Sequence, residues 1–314
     1  MYLSFFGLGE KPFALTPNTA FLVRLAPYQA CLNLLRVALG EGEGFIKVSG
    51  EVGTGKTLLC RALLNALSED DGCWQVAWLP NPGLSPRDLR QALAHELRIA
   101  DTEHLDDHSL LAALNQRLIE LAAEGKRTVL LIDEAQALPP KTLEALRLLT
   151  NLETEHCKLL QVVLFGQPEL DAVLEQAEFR QLRQRITFSY RLRPLDLADT
   201  RRYVEERLIH AGYRGEALFE AGALRRLVAG SGGIPRLINI LAHKALMVAF
   251  GAGSRRVRAS HVQRAVQDTE GARPFLRQGS ASLGWSLAGA AALLTLLGLW
   301  PWLQGWLAQG GLLP

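Results

Sequence analysis

The sequence predicts an α/β fold with a parallel sheet, followed by a small helical domain and a C-terminal transmembrane helix. Short apolar runs alternate with helical patterns over the first 190 residues, which is typical of strands joined by helices. After Pro194 only helical patterns follow, as far as residue 268. Residues 278–314 contain no Asp, Glu, Lys or Arg, so the last part of the sequence differs from an ordinary soluble domain.

Charge divides the chain in the same way. The 314 residues include 34 basic and 32 acidic side chains, a formal net charge of +2. Residues 1–190 contain 18 basic and 24 acidic side chains, whereas residues 191–277 contain 16 basic and 8 acidic ones. A composition of 48% hydrophobic and 21% charged residues is that of a globular protein and excludes a disordered or fibrous one.

Strands are predicted where four to eight apolar, β-branched or aromatic residues lie between turn signals. They are FIKVS (45–49), WQVAWL (74–79), TVLLI (128–132), LLQVVLF (159–165) and ITFSY (186–190). Between them, Ser85 and Ser109 supply N-caps for two helices. The helices predicted after the sheet cover residues 197–210, 217–229, 235–250 and 259–268.

A glycine-rich motif, GEVGTGKT (50–57), directly follows the first predicted strand and precedes a helical pattern. It matches GxxxxGK[ST], the phosphate-binding P-loop, rather than an ordinary Gly-rich turn. Its glycines let backbone N–H groups point at phosphate oxygens, and the helix N-terminus adds a positive dipole. Lys56 is expected on the β- and γ-phosphates, and the Thr57 hydroxyl on Mg²⁺. The predicted nucleotide contacts are Gly50, Glu51, Val52, Gly53, Thr54, Gly55, Lys56, Thr57 and Leu58.

Two acidic residues, Asp133 and Glu134, end the apolar strand TVLLI. Ligands bind at the carboxyl ends of parallel strands, so both carboxylates are expected beside the P-loop. Asp133 is predicted to hold Mg²⁺ together with Thr57, and Glu134 to orient and deprotonate the attacking water. Acidic residues also cap helices, but the P-loop upstream favours the catalytic interpretation.

The order of P-loop, apolar strand with Asp-Glu, further strand and helical segment resembles the AAA+ ATPases over residues 1–270. In that family a polar residue called sensor 1 follows the next strand, which implies this role for Gln167. A sensor 2 arginine begins a helix of the lid domain, which implies Arg236. The resemblance implies ATP and Mg²⁺ as cofactors.

The resemblance also implies a homo-oligomer, such as a hexameric ring, in which each site receives an arginine finger from its neighbour. That arginine lies just before the fifth strand of the family, which implies Arg185 first and Arg183 second. A solvated basic helix end is the alternative for either residue.

Several stretches outside the P-loop resemble the ExeA/GspA group of secretion ATPases and, within it, the MshM-type ATPases of MSHA pilus biogenesis. They are PFALTPNTAFL (12–22), GEGFIKVSGEVGTGKTLLCRALLNAL (42–67), LFGQPEL (164–170) and LRQRITF (182–188). ExeA-type relatives continue into a periplasmic peptidoglycan-binding domain, whereas this sequence stops about ten residues after its apolar segment. This difference favours the MshM-like interpretation.

The apolar segment 283–303 has 21 residues, enough to cross a bilayer as a helix. Tryptophans near both ends suit the two interfaces, and Arg273 and Arg277 before it favour a cytoplasmic N-terminal part. A buried C-terminal helix and one lying flat on the membrane are the alternatives. We therefore expect a single-pass inner-membrane protein with its ATPase domain in the cytoplasm.

The predicted parts are an AAA+ ATP-binding core (1–192), a helical lid domain (193–270), a linker (271–282), the transmembrane helix (283–303) and a short non-cytoplasmic tail (304–314). The expected partners are further copies of the chain, pilus or secretion assembly proteins and the inner membrane.

The functional prediction is an ATPase that drives or regulates assembly of an MSHA-type pilus or a type II secretion-like complex. An ATP-binding oligomeric scaffold with little turnover and a DNA-associated regulator are the alternatives. The basic residues of 191–277 suit anionic lipid, nucleic acid or plain solvation, and nucleic acid is disfavoured because no aromatic residues interleave with them. HLDDH (104–108) is expected to be a solvated loop rather than a metal site.

Overall fold

The sheet at the centre of the fold is parallel, and its P-loop strand lies inside it. The computed structural model describes residues 1–15, 25–70, 72–80, 82–153 and 157–273, which belong to one unit, Met1–Arg273. Within these residues, five strands pair in the order β2-β3-β4-β1-β5. They are β1 (Phe45–Ser49), β2 (Trp74–Leu79), β3 (Arg127–Ile132), β4 (Gln161–Gly166) and β5 (Ile186–Arg191). The predicted α/β core with a parallel sheet is confirmed.

The register brings the carboxyl ends of three strands to one edge of the sheet. Ile132 of β3 pairs with Leu164 of β4, and Ser49 of β1 pairs with Gly166 of β4. The loops that follow these strands are therefore neighbours, as expected for ligand-binding loops of a parallel sheet.

One strand begins later than predicted. β4 starts at Gln161 because the two leucines before it belong to a local turn, in which Leu159 N–H donates to Leu152 O at 3.0 Å. An isolated antiparallel bridge between Glu153 and Lys158 precedes that turn. The apolar pattern of Leu159 and Leu160 reflects burial, since both side chains are buried without joining the strand.

The inner strands are covered on both faces. Residues 129–132 of β3 and 162–165 of β4 are fully buried, which explains their unbroken apolar pattern. Each such side chain contributes roughly 1.5–3 kcal/mol relative to exposure. The helices that precede, connect and cover the strands are α1 (Tyr2–Phe6), α2 (Ala26–Gly40), α3 (Lys56–Ser68), α4 (Pro86–Glu96), α5 (Asp107–Ala123), α6 (Pro140–Leu149), α7 (Pro168–Leu174) and α8 (Arg180–Arg185).

The first residues of α4 and α5 can be compared with the helix starts predicted from the sequence. Ser85 caps α4 in a reciprocal capping box with Asp88, as the sequence predicts for its start. The start predicted for α5 is wrong, because α5 begins at Asp107 and Asp106 is its N-cap. The Asp106 carboxylate accepts the Ser109 N–H at 2.7 Å. Part of the HLDDH segment is therefore the first turn of a helix rather than a loop.

Among the residues described after β5, as far as Arg273, the elements are all helices. They are α9 (Leu197–His210), α10 (Ala221–Ser231), α11 (Pro235–Gly251) and α12 (Ala259–Gln267), and α11 packs against both α10 and α12. Asp196 caps α9 by accepting the Asp199 N–H at 2.9 Å. α10 begins four residues later than predicted because the chain from Leu218 to Phe219 pairs with Val257 instead.

The N-terminal segment packs on these C-terminal helices rather than on the sheet. The rings of Phe5 and Phe250 lie 5.2 Å apart, and those of Phe13 and Phe219 lie 6.0 Å apart. The buried Arg207 of α9 donates from Nε to Pro12 O at 2.6 Å and from Nη2 to Ala14 O at 3.0 Å. Residues 1–14 thus lead from α11 to the edge of the cavity described below.

The predicted membrane segment 283–303, its tail and most of the linker lie outside the described residues. Among the residues that are described, no helix has the length and apolar character needed to cross a membrane.

Candidate nucleotide-binding and hydrolysis site

The P-loop joins β1 to α3 in a conformation that needs its glycines. Gly53 and Gly55 have φ values of 82° and 97°, in the left-handed region that side chains disfavour. Gly55 is the N-cap of α3, so the free N–H groups of this helix face the loop. This backbone suits an anionic ligand, as the motif predicts.

Two hydroxyl groups fix the loop from behind. The buried Tyr28 of α2 donates its hydroxyl to Thr54 O at 2.8 Å. The Thr54 hydroxyl in turn donates to Glu51 O at 2.8 Å. Burial raises the pKa of Tyr28 far above its usual range, so the phenol remains a proton donor. Tyr28 could not be identified from the sequence, because nothing in the motif indicates which distant residue contacts the loop.

Lys56 lies inside the loop with only 4% of its surface exposed. Its Nζ donates to Gly50 O at 2.8 Å and to Glu51 O at 3.1 Å. Burial lowers the pKa of Lys56, while the nearby Glu134 and Asp133 carboxylates oppose that shift. Lys56 is therefore a cation held by two loop carbonyls and influenced by both acids, and its contact with the β- and γ-phosphates stays a prediction.

Asp133 follows β3 and is almost fully buried. Its carboxylate accepts the Thr57 hydroxyl and the Glu134 N–H, the latter at 2.9 Å. Burial raises the pKa of Asp133, and these hydrogen bonds and Lys56 counteract that shift. Thr57 and Asp133, predicted as the two Mg²⁺ ligands, are therefore in direct contact.

Glu134 adopts a backbone conformation that is uncommon for a residue with a side chain, with φ at 51°. Its Oε2 accepts hydrogen bonds from Gln136 Nε2 at 2.6 Å and from Gln167 Nε2 at 2.8 Å. Partial burial opposes ionisation, but these two amides and Lys56 outweigh it and lower the pKa of Glu134. The carboxylate is thus ionised and oriented beside the P-loop.

Gln167 lies at the position predicted for it, directly after β4 and at the N-cap of α7. The structure adds Gln136, whose Oε1 accepts the Gln167 N–H at 3.0 Å. No role was predicted for Gln136 from the sequence. The available signal for Gln136 was its position two residues after Glu134. Its contact with Gln167 could be recognised only from the fold.

Arg236 is the second residue of α11, close to its predicted place at the start of that helix, and approaches the P-loop through its backbone. Its N–H donates to Gly53 O at 3.2 Å. A Cβ added to Gly53 would lie 2.7 Å from the Arg236 Cβ, closer than side chains pack. The lack of a side chain at Gly53 therefore allows both the turn of the P-loop and its close contact with α11.

A cavity of about 320 Å³ lies between the P-loop and the C-terminal helices. The loop side includes Gly53, Gly55, Lys56, Thr57 and Leu58, and Glu134 also lines the cavity. Of the residues that form the other side, only Arg236 was predicted from the sequence to take part in the site. These residues are Ala14, Leu15, Tyr203, Arg207, Pro235, Arg236 and Asn239.

The finger candidates lie elsewhere. Arg183 and Arg185 are in the last turn of α8, Arg183 exposed and Arg185 half-buried. Neither lines the cavity that the described part of this chain forms. Both arginines lie just before β5, as predicted, and their role as arginine fingers stays a prediction.

The residues fit a Mg²⁺-bound nucleotide. The glycine backbone and the helix N-terminus provide N–H donors, and Lys56 provides a buried cation. The contact of Thr57 with Asp133 pairs a hydroxyl with a carboxylate, oxygen donors that Mg²⁺ prefers.

Comparisons with known proteins agree with this geometry. A family model described as "AAA domain" matches residues 39–174. The chain is 42% identical over 302 residues to "General secretion pathway protein A" of Aeromonas hydrophila, covering 96% of this chain and 54% of that protein. It thus spans about half the length of this curated relative.

Solved structures share the fold. The Cdc6p structure from Pyrobaculum aerophilum matches with a TM-score of 0.62 and 20% identity, over 82% of this chain and 70% of that one. The Aeropyrum pernix ORC2 structure, in ADPNP and ADP complexes, matches with a TM-score of 0.60 and 16% identity, over 83% and 72%. Residues 39–174 therefore match the AAA domain on a P-loop α/β fold, and the chain is similar to a secretion-pathway protein.

Proposed function

We propose that this protein binds and hydrolyses Mg²⁺·ATP. The observation that carries the proposal is the convergence of Lys56, Thr57, Asp133 and Glu134 at the carboxyl ends of β1 and β3. In this arrangement, Thr57 contacts Asp133, and Glu134 is ionised and oriented by two amides. A scaffold that only bound ATP would not need a carboxylate held in this way.

The residues divide the work between binding and chemistry. The P-loop backbone and Lys56 would hold the phosphates, and Thr57 and Asp133 would hold Mg²⁺, which neutralises phosphate charge. Glu134 would accept the proton of the attacking water, a contribution of typically 10²–10⁴-fold for a general base. Gln167 would orient Glu134 from the neighbouring strand.

We further propose that the sites work in a homo-oligomer, such as a hexameric ring. Arg185, with Arg183 as second candidate, would enter the site of a neighbouring subunit and stabilise the charge of the transition state. Arg236 would report the state of the nucleotide to the helical lid, and its backbone contact with Gly53 supports this coupling.

The cellular proposal is assembly of a secretion or MSHA-type pilus complex at the inner membrane. The relation to a general secretion pathway protein supports the first part. The uncharged segment 283–303 supports a single membrane span with a cytoplasmic ATPase domain. The MshM-like assignment adds the pilus and rests on resemblance.

ATP binding and turnover by the full chain test the proposal. We expect Glu134→Gln to bind ATP normally and to lose turnover by about 10²-fold or more. The matched control is Glu144→Gln on α6, where the carboxylate pairs with Arg147 at the surface. Tight binding without turnover in the wild type, at any protein concentration and with added lipid, would favour the scaffold instead.

Mixing two inactive variants tests the oligomer. Arg185→Ala and Glu134→Gln each lack one half of a shared site, so mixed rings contain some sites with both halves intact. We expect part of the activity to return on mixing. No recovery with Arg185→Ala but recovery with Arg183→Ala would move the finger to Arg183.

A further inference from the structure

The carboxylate of Glu134 depends on a residue that has no assigned role. Gln136 lies in the single turn of 3₁₀ helix Ala135–Ala137 that follows Glu134. Its amide uses both ends, with Nε2 donating to Glu134 Oε2 at 2.6 Å and Oε1 accepting the Gln167 N–H at 3.0 Å. One side chain thus connects the end of β3 to the turn between β4 and α7.

Both ends of this connection are held firmly. The 3₁₀ turn is anchored in the core by Ala135 and Leu138, which are buried on either side of Gln136. At the other end, a Cβ added to Gly166 would lie 2.6 Å from Leu170 Cδ2, so the turn before α7 is closely packed. Gln136 therefore spans two parts of the backbone that have little freedom to shift.

The hydrogen bonds leave Glu134 asymmetric. Oε2 receives both amide donors, Gln136 and Gln167. No hydrogen bond to Oε1 is found among the described residues, and Glu134 lines the cavity beside Lys56. One carboxylate oxygen is thus fixed and the other is free to accept a proton from the cavity.

The orientation of the Glu134 carboxylate depends on its hydrogen-bond partners. Glu134 has a left-handed backbone conformation, which residues with a side chain rarely adopt. Among the described residues, the side-chain hydrogen bonds to its carboxylate come from Gln136 and Gln167. The bridge through Gln136 supplies a partner and links it to Gln167.

We propose that Gln136 is a positioning residue for hydrolysis, whose amide donates to Glu134 to aim the carboxylate and accepts from Gln167 to lock it to the turn after β4. This rests on the hydrolysis proposed above. The two halves of the bridge have different chemistry, and substitution can separate them.

Two variants of the full chain separate the halves. Gln136→Met keeps the length of the side chain and removes both the donor and the acceptor. Gln136→Glu keeps an acceptor for the Gln167 N–H and replaces the donor with a second carboxylate. The control is Gln116→Met, because Gln116 donates to Glu120 on the exposed face of α5 in the same chemical manner.

The first readout is hydrogen–deuterium exchange at the Gln167 N–H, followed by mass spectrometry of a peptide that contains it. It does not depend on turnover. We expect exchange about fivefold faster in Gln136→Met and unchanged in Gln136→Glu and Gln116→Met. Unchanged exchange in Gln136→Met would overturn the bridge.

The second readout is kcat beside the ATP dissociation constant at pH 8. We expect both Gln136 variants to lose about 10- to 100-fold in kcat with nearly unchanged ATP binding, since a misplaced catalytic group costs that much. A role limited to the shape of the turn would leave Gln136→Glu fully active. That result, or a rise in kcat in either variant, would overturn the positioning role.

The two proposals fail differently. If the wild type has no turnover, or if Glu134→Gln keeps it, the proposed hydrolysis fails while the exchange measurement still decides whether the bridge exists. If Glu134→Gln abolishes turnover and Gln136→Glu does not reduce it, hydrolysis stands and the inference about Gln136 is wrong.

Discussion

Residues 50–57 form one wall of the site mainly with backbone groups, whereas a second wall uses side chains from two strands. In the first, the phosphate wall, Gly53 and Gly55 shape the loop. The second, the carboxylate wall, consists of Asp133, Glu134, Gln136 and Gln167, which hydrogen bonds join across β3 and β4. Binding thus depends on a contiguous motif, and chemistry on contacts between distant parts of the chain.

The largest effect is expected for Lys56, the one charged side chain that the phosphate wall places in the cavity. Lys56→Met should weaken ATP binding by about 10- to 100-fold, since a hydrogen bond to a charged group contributes about 1.5–3 kcal/mol. Titration calorimetry checks this. Lys141→Met, on the exposed face of α6, should bind ATP as the wild type does. Equal binding by both variants would contradict the assignment of Lys56.

The next effect separates backbone strain from close approach. Gly53→Ala introduces a side chain at a positive φ and 2.7 Å from the Arg236 Cβ. Gly72→Ala introduces one at a similar φ of 74° with nothing within 4 Å. We expect both to lose about 1 kcal/mol of unfolding free energy, and Gly53→Ala to lose more and to weaken ATP binding. Equal losses in denaturant titrations would mean that α11 does not contact the loop.

A smaller effect concerns the support behind the phosphate wall. Tyr28→Phe removes the hydroxyl that binds Thr54 O and should cost about 1–2 kcal/mol, because a buried carbonyl loses its partner. Tyr213→Phe removes an exposed hydroxyl that binds Glu216 O and should cost less than about 0.5 kcal/mol. Unfolding free energies measure both. A larger loss for Tyr213→Phe would show that the support does not depend on burial.

The two walls also differ in how far the sequence predicts them. The phosphate wall is a contiguous motif, so its conformation could be predicted from its glycines and Lys56 without knowledge of the fold. Asp133 and Glu134 could be predicted because an apolar strand ends at them. Gln136 and Tyr28 could not, since their partners lie 31 and 26 residues away and only the fold brings them together.

The fold could be predicted where the sequence patterns were long, and the predictions failed at the boundaries of helices and strands. The buried runs of β3 and β4 predicted strands, but Leu159 and Leu160 are apolar because they are buried in a turn. Ser109 was chosen as a cap although Asp106, three residues earlier, accepts its N–H. Both errors concern the ends of elements, where the local pattern does not specify the first residue.

The smallest expected effect tests that boundary. Asp106→Ala should lower the unfolding free energy through loss of the α5 cap, whereas Ser109→Ala should change it less. Denaturant titrations distinguish the two. Turnover should be unaffected in both, since α5 carries no residue of either wall. The reverse order of the two losses would restore Ser109 as the cap.

The most direct test of the division between binding and chemistry compares Lys56→Met with Gln167→Met in the full chain, by ATP dissociation constant and kcat together. We predict that Lys56→Met weakens binding by about 10- to 100-fold, while Gln167→Met keeps binding within about twofold and lowers kcat about tenfold. Weakened binding in Gln167→Met to the same extent as in Lys56→Met, or an unchanged kcat in Gln167→Met, would contradict the account.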